Sequence, residues 1–110
     1  MTAACHAPFV SMEFDPAGHV YTCCANQLYP MGHVADASLA EIWAGPRARA
    51  LRDALTFGDL TLGCNSCRWA LDHGNDAPIA LLYDPFPVVA EPPWPTRMTF
   101  ALSNRCNLAC

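Results

Sequence analysis

The chain has 110 residues, a formal net charge of −4 and seven cysteines. That length bounds it to one modest hydrophobic core, and a core so small gains most from a covalent or metal staple. Every cationic side chain is arginine and there are only six, against ten carboxylates. Recognition of a phosphate backbone needs clustered positive charge, so no nucleic-acid partner is expected.

No secretory leader is visible, because the first thirty residues hold no Lys or Arg and Pro8, Glu13, Asp15 and Pro16 interrupt any apolar run. The most apolar late stretch, residues 77–90, is broken by Pro78, Asp84, Pro85 and Pro87, so no membrane partner is expected. A cytoplasmic location follows as the expectation. Thiols there stay reduced, which favours metal binding over disulfides. The odd cysteine count points the same way.

In chain order, Asp15-Pro16-Ala17-Gly18 reads as a turn between the β-prone runs Phe9–Phe14 and His19–Cys23, predicting a β-hairpin. Its first strand begins just after Cys5 and its second ends at Cys23. The open end of the hairpin can therefore bring these two sulfurs together. Residues 26–32 read as a loop. Ser38-Leu39-Ala40-Glu41 matches a capping box opening a short helix through Leu39, Ile42 and Trp43. Gly45-Pro46 ends that helix and starts another, with Ala48, Leu51 and Leu55 on one face and an Arg49–Asp53 pair outside. Arg47, Arg49 and Arg52 read as a solvated face. After Gly58 the chain descends to Gly63-Cys64-Asn65-Ser66-Cys67, a tight Cys-x2-Cys knuckle.

A helical turn is expected over 68–72 and a second short helix within 75–82. Residues 84–95 carry five of the ten prolines and read as a semi-rigid linker. From Thr96 the alternation of Met98, Phe100 and Leu102 predicts a strand opening a new domain.

A Cys-x2-Cys knuckle supplies half of a four-thiolate site far more often than it closes on itself. Cys5 and Cys23 are placed to complete Cys64 and Cys67. The spacing suits Zn²⁺ or a [4Fe–4S] cluster equally, and a structural zinc module mediating protein contacts is the rival reading. Cys24 alternates away from Cys23 and reads as a small buried hydrophobe. His6, His19, His33 and His73 read as solvent-facing or hydrogen-bonded in place, with His6 the nearest alternative ligand. Trp43 and Trp69 are expected in the core. Ser66, Asp72 and His73 make no credible hydrolytic triad.

Cys5, Gly18-x4-Cys23, Ser38-Leu39-x-Glu41-Ile42-Trp43 and Cys64-x2-Cys67 together resemble the SPASM/twitch domain of radical S-adenosylmethionine enzymes. The wording Phe14-Asp15-x-x-Gly18-x-Val20-Tyr21-x-Cys23-Cys24 and the loop Met31-Gly32-His33-Val34 do so too. No cysteine lies between Cys67 and Cys106, so the likeness is to the single-cluster twitch form. The resemblance implies an auxiliary [4Fe–4S] cluster held by Cys5, Cys23, Cys64 and Cys67, serving electron transfer or structure.

Cys106-x3-Cys110, behind the expected strand, resembles the start of the radical SAM signature Cys-x3-Cys-x2-Cys. In that family the cluster's open iron chelates S-adenosyl-L-methionine. The third cysteine is absent, so this chain by itself lacks a complete S-adenosylmethionine cluster site and reads as the amino-terminal piece of a longer enzyme or as the product of a truncated reading frame. Here the accessory domain precedes the core, whereas in the family it usually follows it. The implied partners are the missing radical SAM core in cis, a reductant protein, and a peptide, protein or small-metabolite substrate.

The expectation is thus an α+β fold. A small cysteine-rich domain (residues 1–83) holds a β-hairpin, short helices and the knuckle. A proline-rich linker (84–95) and the first strand of a truncated radical SAM barrel (96–110) follow.

Overall fold

The computed structural model describes residues 3–74 and 78–103. The fold is α+β. Its elements are α1 (Ala7–Val10), β1 (Ser11–Phe14), β2 (His19–Tyr21), β3 (Gly32–His33), α2 (Leu39–Trp43), α3 (Pro46–Thr56), α4 (Asn65–Asp72), α5 (Pro78–Leu81) and β4 (Arg97–Phe100). The four strands form one sheet in the order β3-β2-β1-β4.

The hairpin β1–β2 is antiparallel, with Glu13 opposite Tyr21 and Phe14 opposite Val20. Its turn is held by the Asp15 carboxylate, which accepts from the N–H groups of Ala17 (3.0 Å) and His19 (2.8 Å). Gly18 supplies the positive φ (+96°) that closes it. The first strand is shorter than the alternation predicts. Pro8 stands near the start of a single helical turn, and Ala7–Val10 coil there before the chain extends at Ser11. The turn buries all four of its residues, so packing decides its conformation over the β-propensity of Phe9 and Val10.

Two apolar clusters result. Met12, Phe14, Val20, Met31, Ile42, Trp43 and Ala48 join one sheet face to α2 and α3. A second gathers Ala7, Phe9, Val10, Cys23 and Tyr83, with Cys5, Phe86 and Val88 packed against it. Glu13, alternating to the other side of β1 from Met12 and Phe14, accepts a hydrogen bond from the Tyr83 hydroxyl at 3.4 Å.

The helices begin where the caps dictate. Ser38 Oγ accepts from Glu41 N (3.2 Å) and the Glu41 carboxylate accepts from Ser38 N (3.1 Å), completing the capping box of α2. Pro46 opens α3, whose Ala48, Leu51 and Leu55 are buried. Arg52 is not on a solvated face. It is buried, its guanidinium lies 4.3 Å from the Trp43 ring centroid, and Nε donates to the Pro8 carbonyl at 2.7 Å. A guanidinium stacks on indole while keeping its in-plane donors, so it can be sealed between α1 and α2. Desolvation lowers its pKa to about 10. The expected Arg49–Asp53 pair is not among the ion pairs of the described residues.

Residues 84–95 are not a free linker. Phe86 and Val88 pack on the second cluster, the Phe86 carbonyl accepts from His6 Nδ1 (2.9 Å), and the Pro92 carbonyl accepts from Trp43 Nε1 (2.8 Å). Proline gives up its N–H but keeps its carbonyl, so a proline-rich stretch can still be strapped down from outside. Nor does β4 stand apart. It pairs in parallel with β1, Ser11 opposite Arg97 through Phe14 opposite Phe100, and Phe14 stacks on Phe100 with centroids 4.7 Å apart. The strand read as opening a new domain thus extends the sheet of the first. Residues 104–110 lie outside the described part.

Replacing Arg52 by Leu should strip the Pro8 carbonyl of its donor and lower unfolding free energy by about 1–3 kcal/mol. Arg49→Ala on the exposed side of α3 should stay within about 0.5 kcal/mol. Urea denaturation followed by tryptophan fluorescence checks both, and equal losses would remove Arg52 from the core account.

Candidate metal centre

The cysteines come to the site from opposite ends of the chain. Cys5 precedes α1 and is fixed by Ala4 N, which donates to the Leu55 carbonyl at the end of α3 (2.9 Å). Cys23 lies just past β2 and is buried. Cys64 is the N-cap of α4 and Cys67 sits in that helix's first turn, so the expected knuckle is a helix start. Its positive end favours thiolate over thiol.

Cys5, Cys23, Cys64 and Cys67 line a single cavity, with empty space of about 520 Å³ including its mouth. Its walls are otherwise largely apolar, with Ala7, Leu55, Leu60 and Ala80 among them. Among the described residues no group of three His, Cys, Asp or Glu side chains is placed to hold a single metal ion.

Burial dominates their protonation. It pushes the Cys5 thiol up to about 11, the Ala7 N–H at 3.5 Å working against it and Cys67 and Cys64 with it. Burial likewise pushes Cys23 to about 12, opposed by the N–H groups of Ala25 and Asn26 and reinforced by Cys5 and Cys24. Cys64 and Cys67 are also raised, again by burial first. Without a metal these thiols keep their protons at neutral pH. Metal binding displaces them and converts mutual repulsion into shared ligation.

The remaining candidates fall elsewhere. Cys24 is exposed rather than a buried hydrophobe and is absent from the cavity wall. Cys106 and Cys110 lie outside the described residues. His6, His33 and His73 have carbonyl partners in Phe86, Ala17 and Trp69, and His19 pairs with Asp15 at 3.1 Å. Trp69 is exposed and stacks on His73, so only Trp43 meets the expectation of a core tryptophan.

Two residues of the wall carry no obvious sequence signal. Thr22 and Asn26 are each 1% exposed, and Thr22 Oγ1 and Asn26 Oδ1 are buried without a hydrogen-bond partner. The Thr22 hydroxyl can donate to a charged occupant, whereas Asn26 Oδ1, an acceptor, lies against Gly63. The Asn26 amide Nδ2 donates to the Leu62 carbonyl (3.0 Å) and to Cys64 Sγ (3.7 Å).

A model of the SPASM iron–sulfur cluster-binding domain matches residues 5–68. The chain belongs to the SPASM family. The match opens at Cys5 and closes one residue after Cys67, so it spans all four cavity-lining cysteines. No curated protein and no solved structure matches the chain. Iron–sulfur binding is thus the property of the SPASM domain that the cavity must accommodate. An apolar pocket walled by thiols and N–H donors suits an anionic cluster, because the donors stabilise the thiolates that burial disfavours.

Gly63 sets the approach of α4. Its φ is +84°, and a Cβ there would fall 2.9 Å from Tyr29 Cβ and on top of Asn26 Oδ1. Gly58 has φ +73° with open space around it. Gly58→Ala should therefore cost only the left-handed backbone term, about 1–2 kcal/mol. Gly63→Ala should cost more and should also disturb thiol packing. Denaturant midpoints of the two variants provide the check, with equal destabilisation counting against a close approach at Gly63.

Proposed function

We propose that this SPASM domain binds one auxiliary [4Fe–4S] cluster through Cys5, Cys23, Cys64 and Cys67 and forms part of a radical SAM enzyme. The observation that carries the reading is the convergence of these four thiols on one apolar cavity inside the family's matched span. The family match favours an iron–sulfur cluster, one sulfur per iron, over a single zinc ion.

Bound there, a [4Fe–4S] cluster supplies a one-electron couple. With every iron capped by a cysteine there is no open position for substrate, so the role is to relay an electron or to brace the fold. The chain's own residues do the rest. Leu55, Leu60 and Ala80 exclude water, the α4 N-terminus and the N–H groups of Ala7 and Ala25 favour thiolate, and the strap over residues 84–95 covers the second cluster. This is the single-cluster twitch form of the domain.

The radical SAM context rests on Cys106 and Cys110, whose spacing resembles the start of the radical SAM signature. These two cysteines would begin the motif that holds the second [4Fe–4S] cluster and S-adenosyl-L-methionine. A core in cis, a reductant protein and a peptide, protein or small-metabolite substrate complete the proposal, in a reducing cytoplasm where the thiols remain available.

Anaerobic reconstitution with iron and sulfide, followed by metal and sulfide analysis, tests the cluster. About four irons and four sulfides at the SPASM site are expected, and a single zinc with no sulfide would replace the reading by a structural zinc module. Cys64→Ser should abolish loading at this site and Cys24→Ser should leave it intact. Equal loss in both would sink the ligand assignment.

A further inference from the structure

We propose that the Asn26 side chain sets the reduction potential of the cluster through its amide hydrogen bond to Cys64 Sγ. This rests on the cluster reading above and deepens it. The four sulfurs are not equivalent in how they are solvated. Cys5 receives the Ala7 N–H, Cys23 is acted on by those of Ala25 and Asn26, and Cys67 by that of Ala80. These are backbone donors, fixed by the fold. At Cys64 the donor is a side chain, Asn26 Nδ2 at 3.7 Å.

The amide can point only one way. Nδ2 also donates to the Leu62 carbonyl at 3.0 Å. Turning the amide over would set Oδ1 against that carbonyl, acceptor facing acceptor. Oδ1 instead lies against Gly63, whose missing Cβ leaves the room it needs. Leu62 and Gly63 immediately precede Cys64, so the segment that delivers the thiol also orients the amide that serves it. Asn26 is 1% exposed, which keeps water from substituting for the bond.

An N–H donated to a cluster thiolate draws electron density from it and stabilises the reduced state, which carries one more negative charge. Reduction here adds one electron and makes or breaks no covalent bond. Burial and the nearby carboxylates of Asp84 and Asp59, which act on Cys5 and Cys64, oppose that added charge. The Asn26 amide works against them. It is a positioning and tuning residue and binds no iron.

The test compares the reconstituted wild-type chain with Asn26→Leu and Asn26→Asp, each assayed for iron and sulfide and then titrated anaerobically with dithionite, the reduced cluster being followed by electron paramagnetic resonance. Asn26→Leu keeps the volume and removes the donor. At wild-type loading its reduction equilibrium should move about tenfold toward the oxidised form, a midpoint about 59 mV more negative for one electron. Asn26→Asp should move it further the same way, by adding charge. An unchanged midpoint at full loading overturns the proposal. So does loss of loading in both variants, because Asn26 would then be a strut of the site and not a tuner of it. Failure of the wild-type chain itself to load would instead fell the cluster reading.

Discussion

The structure depends on gathering four thiols around one dry space from segments some sixty residues apart. Sulfur ligands that far apart in sequence meet only if the chain between them folds first. The hairpin, α2 and α3 make that intervening fold. The bond from Ala4 N to the Leu55 carbonyl then ties the amino-terminal thiol to the helix from which the chain descends to the other pair. Closing such a loop costs entropy that weak contacts alone repay slowly, whereas a metal–thiolate centre repays it at once.

The electrostatics of the site point toward a bound group. Burial makes each cavity thiol a poorer acid than free cysteine, and the thiols raise one another further. A protonated cluster of thiols gains nothing from such proximity. A bound cluster would displace the protons and turn the arrangement into ligation, and the α4 N-terminus and surrounding N–H groups would solvate the negative charge that results. Thr22 keeps a buried hydroxyl unpaired in the same wall, a cost a purely apolar pocket would not carry.

The late part of the chain is bound into the domain more tightly than its proline content suggests. Tyr83 is fully buried, Phe86 and Val88 pack beside the amino-terminal turn, and Trp43 and His6 donate to carbonyls of the proline-rich segment. β4 then adds to the hairpin in parallel, leaving Met98, Phe100 and Leu102 exposed. The proline-rich segment is therefore a packed strap on the domain.

Local chemistry was legible from the sequence alone. The turn at Asp15–Gly18, the capping box at Ser38–Glu41 and the Gly45-Pro46 break all rest on short-range geometry, and short-range rules carry them. What failed was whatever depended on a distant neighbour. Phe9 and Val10 coil because α3 and Tyr83 bury them, Arg52 goes inside because Trp43 and the Pro8 carbonyl await it, and Cys24 and Trp69 stay outside because no wall reaches them. Asn26 escaped notice for the same reason: its partners, Leu62 and Cys64, lie more than thirty residues away, and only the folded chain brings an amide to a sulfur over that separation.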